Sequence, residues 1–125
     1  MKKFFIIGII MIFCMCGCGS NNGDKFNADG TISYMYAKEL MINEGAILLD
    51  VRSDEEYNDS HIDGALLLPV NDISDEKASE IIGDKDTTVI VYCRSGNRSS
   101  QALEYLNELG YKNVYDLGAM SNWKE

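Results

Sequence analysis

Four mainly apolar runs mark the chain: Phe4 to Phe13, Ala46 to Val51, Ala65 to Leu68 and Thr87 to Tyr92, each bounded by polar or turn-forming residues. A short continuous apolar run between turn signals predicts a strand buried on both faces. The last three runs meet that description, and Thr87 to Tyr92 is the strongest. Between them the pattern switches to helical spacing. Ser33 can cap a helix from Tyr34 to Asn43, with Met35, Leu40 and Met41 near one face and Gly45 as its stop. Ser53 opens a short acidic helix, Asp54 to Asn58. His61 to Gly64 reads as a turn, and Pro69 stops the strand before it. Asp75 to Ile82 predicts a helix ended by Gly83. Ser99 to Leu109 carries Ala102, Leu103, Leu106 and Leu109 on one face and ends at Gly110. Thr31-Ile32 and Val114-Tyr115 predict short strands, and Ala119 to Lys124 a terminal helical turn carrying Trp123. Strands alternating with helices predict a single α/β domain with a mainly parallel central sheet flanked by helices on both faces. Ligands of such sheets bind at the carboxyl ends of the strands, and Cys93 stands at that end of the strongest one.

The first apolar run changes the picture of the N-terminus. It follows the positive Met1-Lys2-Lys3 and is too short to span a bilayer, which takes about 20 apolar residues. This is the outline of a signal peptide. Cys14-Met15-Cys16-Gly17-Cys18-Gly19-Ser20 follows it and resembles the lipobox of bacterial lipoproteins. Cys18 fits best as the lipid-modified residue because the small Gly17 precedes it. The expected organisation is a leader over 1–17, a lipidated flexible tether over 18–28 and one folded domain over 29–125. That places the domain outside the cytoplasm, lipid-anchored to the bacterial membrane.

Cysteine usage then sharpens. The chain has four cysteines; Cys14 and Cys16 leave with the leader and Cys18 carries lipid. Cys93 remains as a lone thiol, so no internal disulfide is expected. One cysteine and one histidine (His61) do not make a metal-ligand set. A formal net charge of −9 argues against nucleic acid as a partner. Against that acidic background, the two arginines beside Cys93 concentrate positive charge.

Val89 to Ser100 therefore holds the candidate chemistry: a strand, Cys93, a polar loop with Gly96 between Arg94 and Arg98, then a helix. Unpaired amides at a helix start, together with two guanidinium groups, place the sulfur in positive potential. Such surroundings make a nucleophile of a thiolate. The bland alternative is an inert buried thiol.

Four segments, in order, resemble the rhodanese (sulfurtransferase) family: Leu49-Asp50-Val51-Arg52; Glu56-Tyr57 with His61-Ile62-Asp63-Gly64-Ala65; Cys93-Arg94-Ser95-Gly96-Asn97-Arg98-Ser99; and Val114-Tyr115-Asp116-Leu117-Gly118 with Trp123. Ser60, Asp63 and Ala119 depart from the glycine, proline and glycine common at those places. The resemblance implies a thiosulfate sulfurtransferase-type enzyme working through a Cys93 persulfide. Sulfur would pass from thiosulfate or a related donor to a thiol or cyanide acceptor, with no cofactor and no metal. Arg94, Ser95, Gly96, Asn97, Arg98 and Ser99 would bind substrate. Arg52 would reach the mouth of the site or pair with Glu56. Asp50 and His61 would be structural. Cys93 to Arg98 spans six residues, Cys-X4-Arg, where phosphatases and arsenate reductases of related design have one residue more. That loop length favours sulfur transfer over oxyanion chemistry. A non-enzymatic sulfur carrier or sensor remains an alternative.

Overall fold

Along the central strand, side chains alternate strictly between two hydrophobic clusters. In the computed structural model, which describes residues 25–124, β3 (Thr88–Cys93) sends Val89, Val91 and Cys93 to one side and Ile90 and Tyr92 to the other. All five are fully buried. That is the period of two expected of a strand with a helical layer on each face. The leader, Cys18 and the start of the tether lie outside the described residues.

Three further strands complete the sheet: β1 (Ile47–Asp50), β2 (Leu66–Leu67) and β4 (Asn113–Ala119). The order is β2-β1-β3-β4 and every pairing is parallel. Parallel neighbours need crossovers, and helices supply them. One face is covered by α3 (Asp75–Ile81) through Ala78 and by α4 (Asn97–Glu108) through Ala102 and Leu106. The other face is covered by α1 (Tyr34–Asn43) through Ala37 and Leu40, with Ile62 and Ala65 from the segment before β2. The acidic helix α2 (Asp54–Asp59) has no buried residue. Two 3-10 turns, Val70–Asp72 and Met120–Asn122, complete the described elements.

The chain leaves β1 toward β2 on one side and returns to β3 on the other. The carboxyl ends of β1 and β3 therefore lie side by side at the point where the strand order reverses. A crevice opens there by topology alone.

Several boundaries differ from the sequence reading. Thr31-Ile32 is not a sheet strand: Ile32 makes a single antiparallel bridge with Phe26, and its amide donates to the Asp116 carbonyl at 2.8 Å. Residues 25–28, expected in the tether, pack on the domain. The Ser33 amide donates to the Lys25 carbonyl at 2.9 Å, and the Phe26 ring lies edge-on to Tyr36. The strand expected at Val114-Tyr115 runs on to Ala119. Polar Asp116 and Gly118 mask it, because the pairing with β3 shifts register there and leaves Leu117 bulged. The Asp116 carboxylate accepts from the Gly118 amide at 2.8 Å across that bulge. Helix α4 begins at Asn97, two residues ahead of the expected Ser99, and the last turn is 3-10 over Met120–Asn122.

Candidate active site

Cys93 ends β3, and the next residues must turn the chain into α4 within a very short loop. Gly96 makes the turn at φ 106°, a conformation that side chains disfavour. Among the described residues no non-glycine residue takes a positive φ and no peptide bond is cis. The result is an unusual helix start. Gly96 is the N-cap of α4 and has no side chain to cap with. Instead the Cys93 sulfur accepts the cap hydrogen bonds: the Gly96 amide lies 3.0 Å from Sγ and the Ser99 amide 3.3 Å. Ser99 is the third residue of the helix, the usual donor to an N-cap side chain. The sulfur thus sits at the positive end of the helix, where anionic charge is favoured.

The loop has two flanks. On one side, the Ser99 hydroxyl donates to the Gly96 carbonyl at 3.1 Å and also lies against Asp116. Burial raises the Asp116 carboxyl above its usual range, the Ser99 and Gly118 contacts oppose that rise, and Asp29 adds to it. A polar groove of about 490 Å³ runs along this flank, bordered by Ser95, Gly96, Asn97, Asp116 and Asp29. The side chains of Ser95 and Asn97 are exposed there.

On the other flank stands a group that the sequence reading placed in a motif and as a possible partner of Arg52, but not at Arg98. Glu56, on α2 after β1, takes both ends of the Arg98 guanidinium, with Nη1 at 2.7 Å and Nη2 at 3.2 Å. Arg94 Nε approaches the same carboxylate at 3.5 Å. Glu56 is also the third residue of α2, and it closes a capping box by accepting from the Ser53 amide at 3.1 Å while Ser53 Oγ accepts from the Glu56 amide at 3.2 Å. The Arg98 and Ser53 contacts hold the Glu56 carboxyl well below the usual carboxylate range. Arg98 is held above its usual value, first by Glu56, with the nearby Cys93 sulfur contributing in the same direction.

Arg52 does not pair with Glu56. It is buried, and its guanidinium forks onto Asp50, Nε at 3.0 Å and Nη2 at 2.7 Å, with Nη2 also donating to the Ser60 carbonyl at 2.6 Å. Asp50 further accepts from the Arg52 amide at 2.9 Å and from the Tyr92 hydroxyl at 2.8 Å, and that hydroxyl accepts from the Ile62 amide at 3.1 Å. Burial raises the Tyr92 phenol well above its usual range. This network ties the ends of β1 and β3 to the turn before β2. Arg52 also borders a cleft of about 90 Å³ with Ser53, Pro69 and Arg98, so it stands at the rim while its charge is spent inside. His61 is exposed; its Nδ1 lies 2.9 Å from the Tyr57 carbonyl and its ring stacks on Tyr57 at 3.7 Å. Among the described residues no three His, Cys, Asp or Glu side chains converge to hold a metal ion.

Comparison with known proteins identifies a family and several relatives. The profile of the rhodanese-like domain family matches residues 33–125. The chain is 38% identical over 74 residues to the thiosulfate sulfurtransferase PspE of Escherichia coli K12, covering 59% of this chain and 70% of that protein. It is 36% identical over 96 residues to the thiosulfate sulfurtransferase GlpE of Coxiella burnetii, covering 74% and 85%. Among solved structures, the human single-domain sulfurtransferase TSTD1 superposes with a TM-score of 0.63 at 26% identity, covering 75% of this chain and 94% of that one. A rhodanese with anions from E. coli superposes with a TM-score of 0.58 at 36% identity, covering 62% and 89%.

Proposed function

The chain belongs to the rhodanese-like domain family, and from that premise we propose that it is a sulfurtransferase carrying sulfane sulfur on Cys93. The observation that carries the reading is the Cys93 sulfur itself: it ends the central strand and accepts two amides, Gly96 and Ser99, at the start of α4. Relatives named thiosulfate sulfurtransferase support the same class of reaction.

In the proposed mechanism the Cys93 thiolate attacks the outer sulfur of a donor such as thiosulfate. The S–S bond of the donor breaks and sulfite leaves with the electron pair. Cys93 then holds a persulfide whose terminal sulfur keeps the negative charge. The amides of Gly96 and Ser99 and the helix start stabilise anionic sulfur without reorganising. An acceptor thiolate or cyanide takes the terminal sulfur in the second half-reaction and restores the thiolate. Two half-reactions through one covalent intermediate give ping-pong kinetics. Arg94 and Arg98, both engaged by Glu56, form one rim of the site, while Ser95 and Asn97 face the polar groove. Asp50 and Arg52 position the loop ends from below.

Incubation of the purified protein with thiosulfate, followed by intact-mass measurement, tests the reading. The expected result is a gain of one sulfur atom (about 32 Da) that cyanide or a thiol removes and that Cys93→Ser lacks. Stable sulfur loading without turnover would mark a carrier instead. No loading from thiosulfate or polysulfide, with cleavage of a phosphate ester, would replace sulfur transfer by oxyanion chemistry.

We also propose that Cys18 is lipidated and holds the domain outside the cytoplasm, supported by the leader pattern ahead of it. Membrane fractionation in a bacterial host checks this: the wild type is expected with the membranes and Cys18→Ala in the soluble fraction. Equal partition of both would dismiss it.

A further inference from the structure

Two guanidinium groups beside a nucleophilic thiol suggest a receptor for a dianion, but here they are already occupied. Glu56 engages both terminal nitrogens of Arg98 and touches Arg94. It is not a loose surface partner: the Glu56 and Arg98 side chains are 22% and 35% exposed, against 73% for Arg94. Nor can it swing aside freely, because the same carboxylate accepts from the Ser53 amide and hydroxyl, each at 3.1 Å, in the capping box of α2. Leaving Arg98 would uncap that helix. Arg52 adds nothing to the balance, since Asp50 cancels it. Two positive groups, Arg94 and Arg98, therefore face two negative ones, Glu56 and the Cys93 thiolate, and the rim is close to neutral before any donor arrives.

We propose that Glu56 is a specificity-determining residue that sets the charge of donor the site accepts, favouring monoanionic sulfane-sulfur donors over dianionic ones. This rests on the sulfurtransferase reading and narrows it. The terminal sulfur of an organic thiosulfonate or persulfide brings one negative charge to the rim. Thiosulfate brings two, and the second meets Glu56 instead of a free guanidinium. The chemistry at Cys93 is the same for both classes. With methanethiosulfonate, Cys–S⁻ and CH3SO2–S⁻ give Cys–S–S⁻ and CH3SO2⁻; with thiosulfate, Cys–S⁻ and the dianion give Cys–S–S⁻ and SO3²⁻. Atoms and charge balance in each, and no oxidant or reductant enters.

The test compares kcat/KM for thiosulfate and for methanethiosulfonate, with cyanide as common acceptor, in wild type and Glu56→Gln. Glutamine keeps the shape and can still close the capping box, so the change isolates charge. The ratio of thiosulfate to methanethiosulfonate is expected to rise about three- to tenfold in Glu56→Gln, the size of one unit charge acting across a partly solvated rim. Glu56→Ala, which loses the box as well, should move the ratio the same way even if α2 is less stable. A ratio that stays constant while both donors speed up or slow down together overturns the proposal, because Glu56 would then be a scaffold for Arg98 only. If the wild type gains no sulfur on Cys93 from either donor, the sulfurtransferase reading itself fails, and the selectivity proposal falls with it.

Discussion

The Cys93 sulfur does two jobs, and they can be separated by substitution. It is the proposed nucleophile, and it is the acceptor that caps α4 in place of the side chain Gly96 lacks. A serine hydroxyl retains an acceptor for the same two amides, whereas alanine leaves them unpaired in a buried position. Cys93→Ser and Cys93→Ala are therefore expected to be equally devoid of sulfur loading but unequal in stability. Loss of an N-cap acceptor costs about 1 kcal/mol, so the alanine variant should be less stable than serine by that amount and unfold at a correspondingly lower urea midpoint. Coincident midpoints would mean that the sulfur hydrogen bonds contribute nothing to the fold. Gly96 belongs to the same arrangement: a Cβ there would meet nothing within 4 Å, so its requirement is conformational and not steric. Two of the departures from the family's usual residues, Ser60 and Ala119, are harmless on the same ground. Ser60 sits at φ −169° and Ala119 at φ −78°, values that need no glycine, whereas Gly118 at φ 85° keeps the one the backbone requires.

At the level of elements, what could be read from the chain is what local pattern controls. The buried run of β3, the Ser33 and Ser53 caps and the amphipathic face of α4 all follow from residues a few positions apart. Elements shaped by distant partners were hidden. The second half of β4 looks too polar to be strand because Asp116 and Gly118 flank a bulge against β3, more than twenty residues earlier in the chain. Asn97 and Arg98 look like loop because their cap is a sulfur, which is not among the side chains that signal a helix start. Phe26 reads as tether and Ile32 as a sheet strand because the hydrogen bonds of this bend go to β4 and to itself. In the site, the Cys93 loop was legible as a spacing of residue types, but its helix start and its charge balance were not. Arg98 and Glu56 are 42 residues apart, and only the crossing of the chain between β1 and β3 brings them together. Ser53 was legible as the start of α2, but that start does not show that Arg98 meets Glu56 there.

For the molecule as a whole, the balance of charge at the rim decides how donors arrive. The chain carries a formal net charge of −9, and loss of a leader bearing Lys2 and Lys3 would deepen it. A cluster of unpaired arginines at the mouth would reverse that field locally and draw anions in. With Arg94 and Arg98 set against Glu56 and the thiolate, little local attraction is left, and the overall acidic field governs approach. An anionic donor then diffuses against repulsion, which salt screens over about 10 Å at 0.1 M. The rate constant kcat/KM for thiosulfate is accordingly expected to rise with ionic strength, by roughly twofold or more between low and physiological salt. Methanethiosulfonate, with half the charge, should rise less, and cyanide release of sulfur from preloaded Cys93 should show the same sign in the second half-reaction. Stopped-flow or steady-state rates over a sodium chloride series measure this directly. Rates that fall with salt would show that the two arginines, not the acidic surface, control the encounter, and that Glu56 neutralises them less than the geometry of its hydrogen bonds indicates.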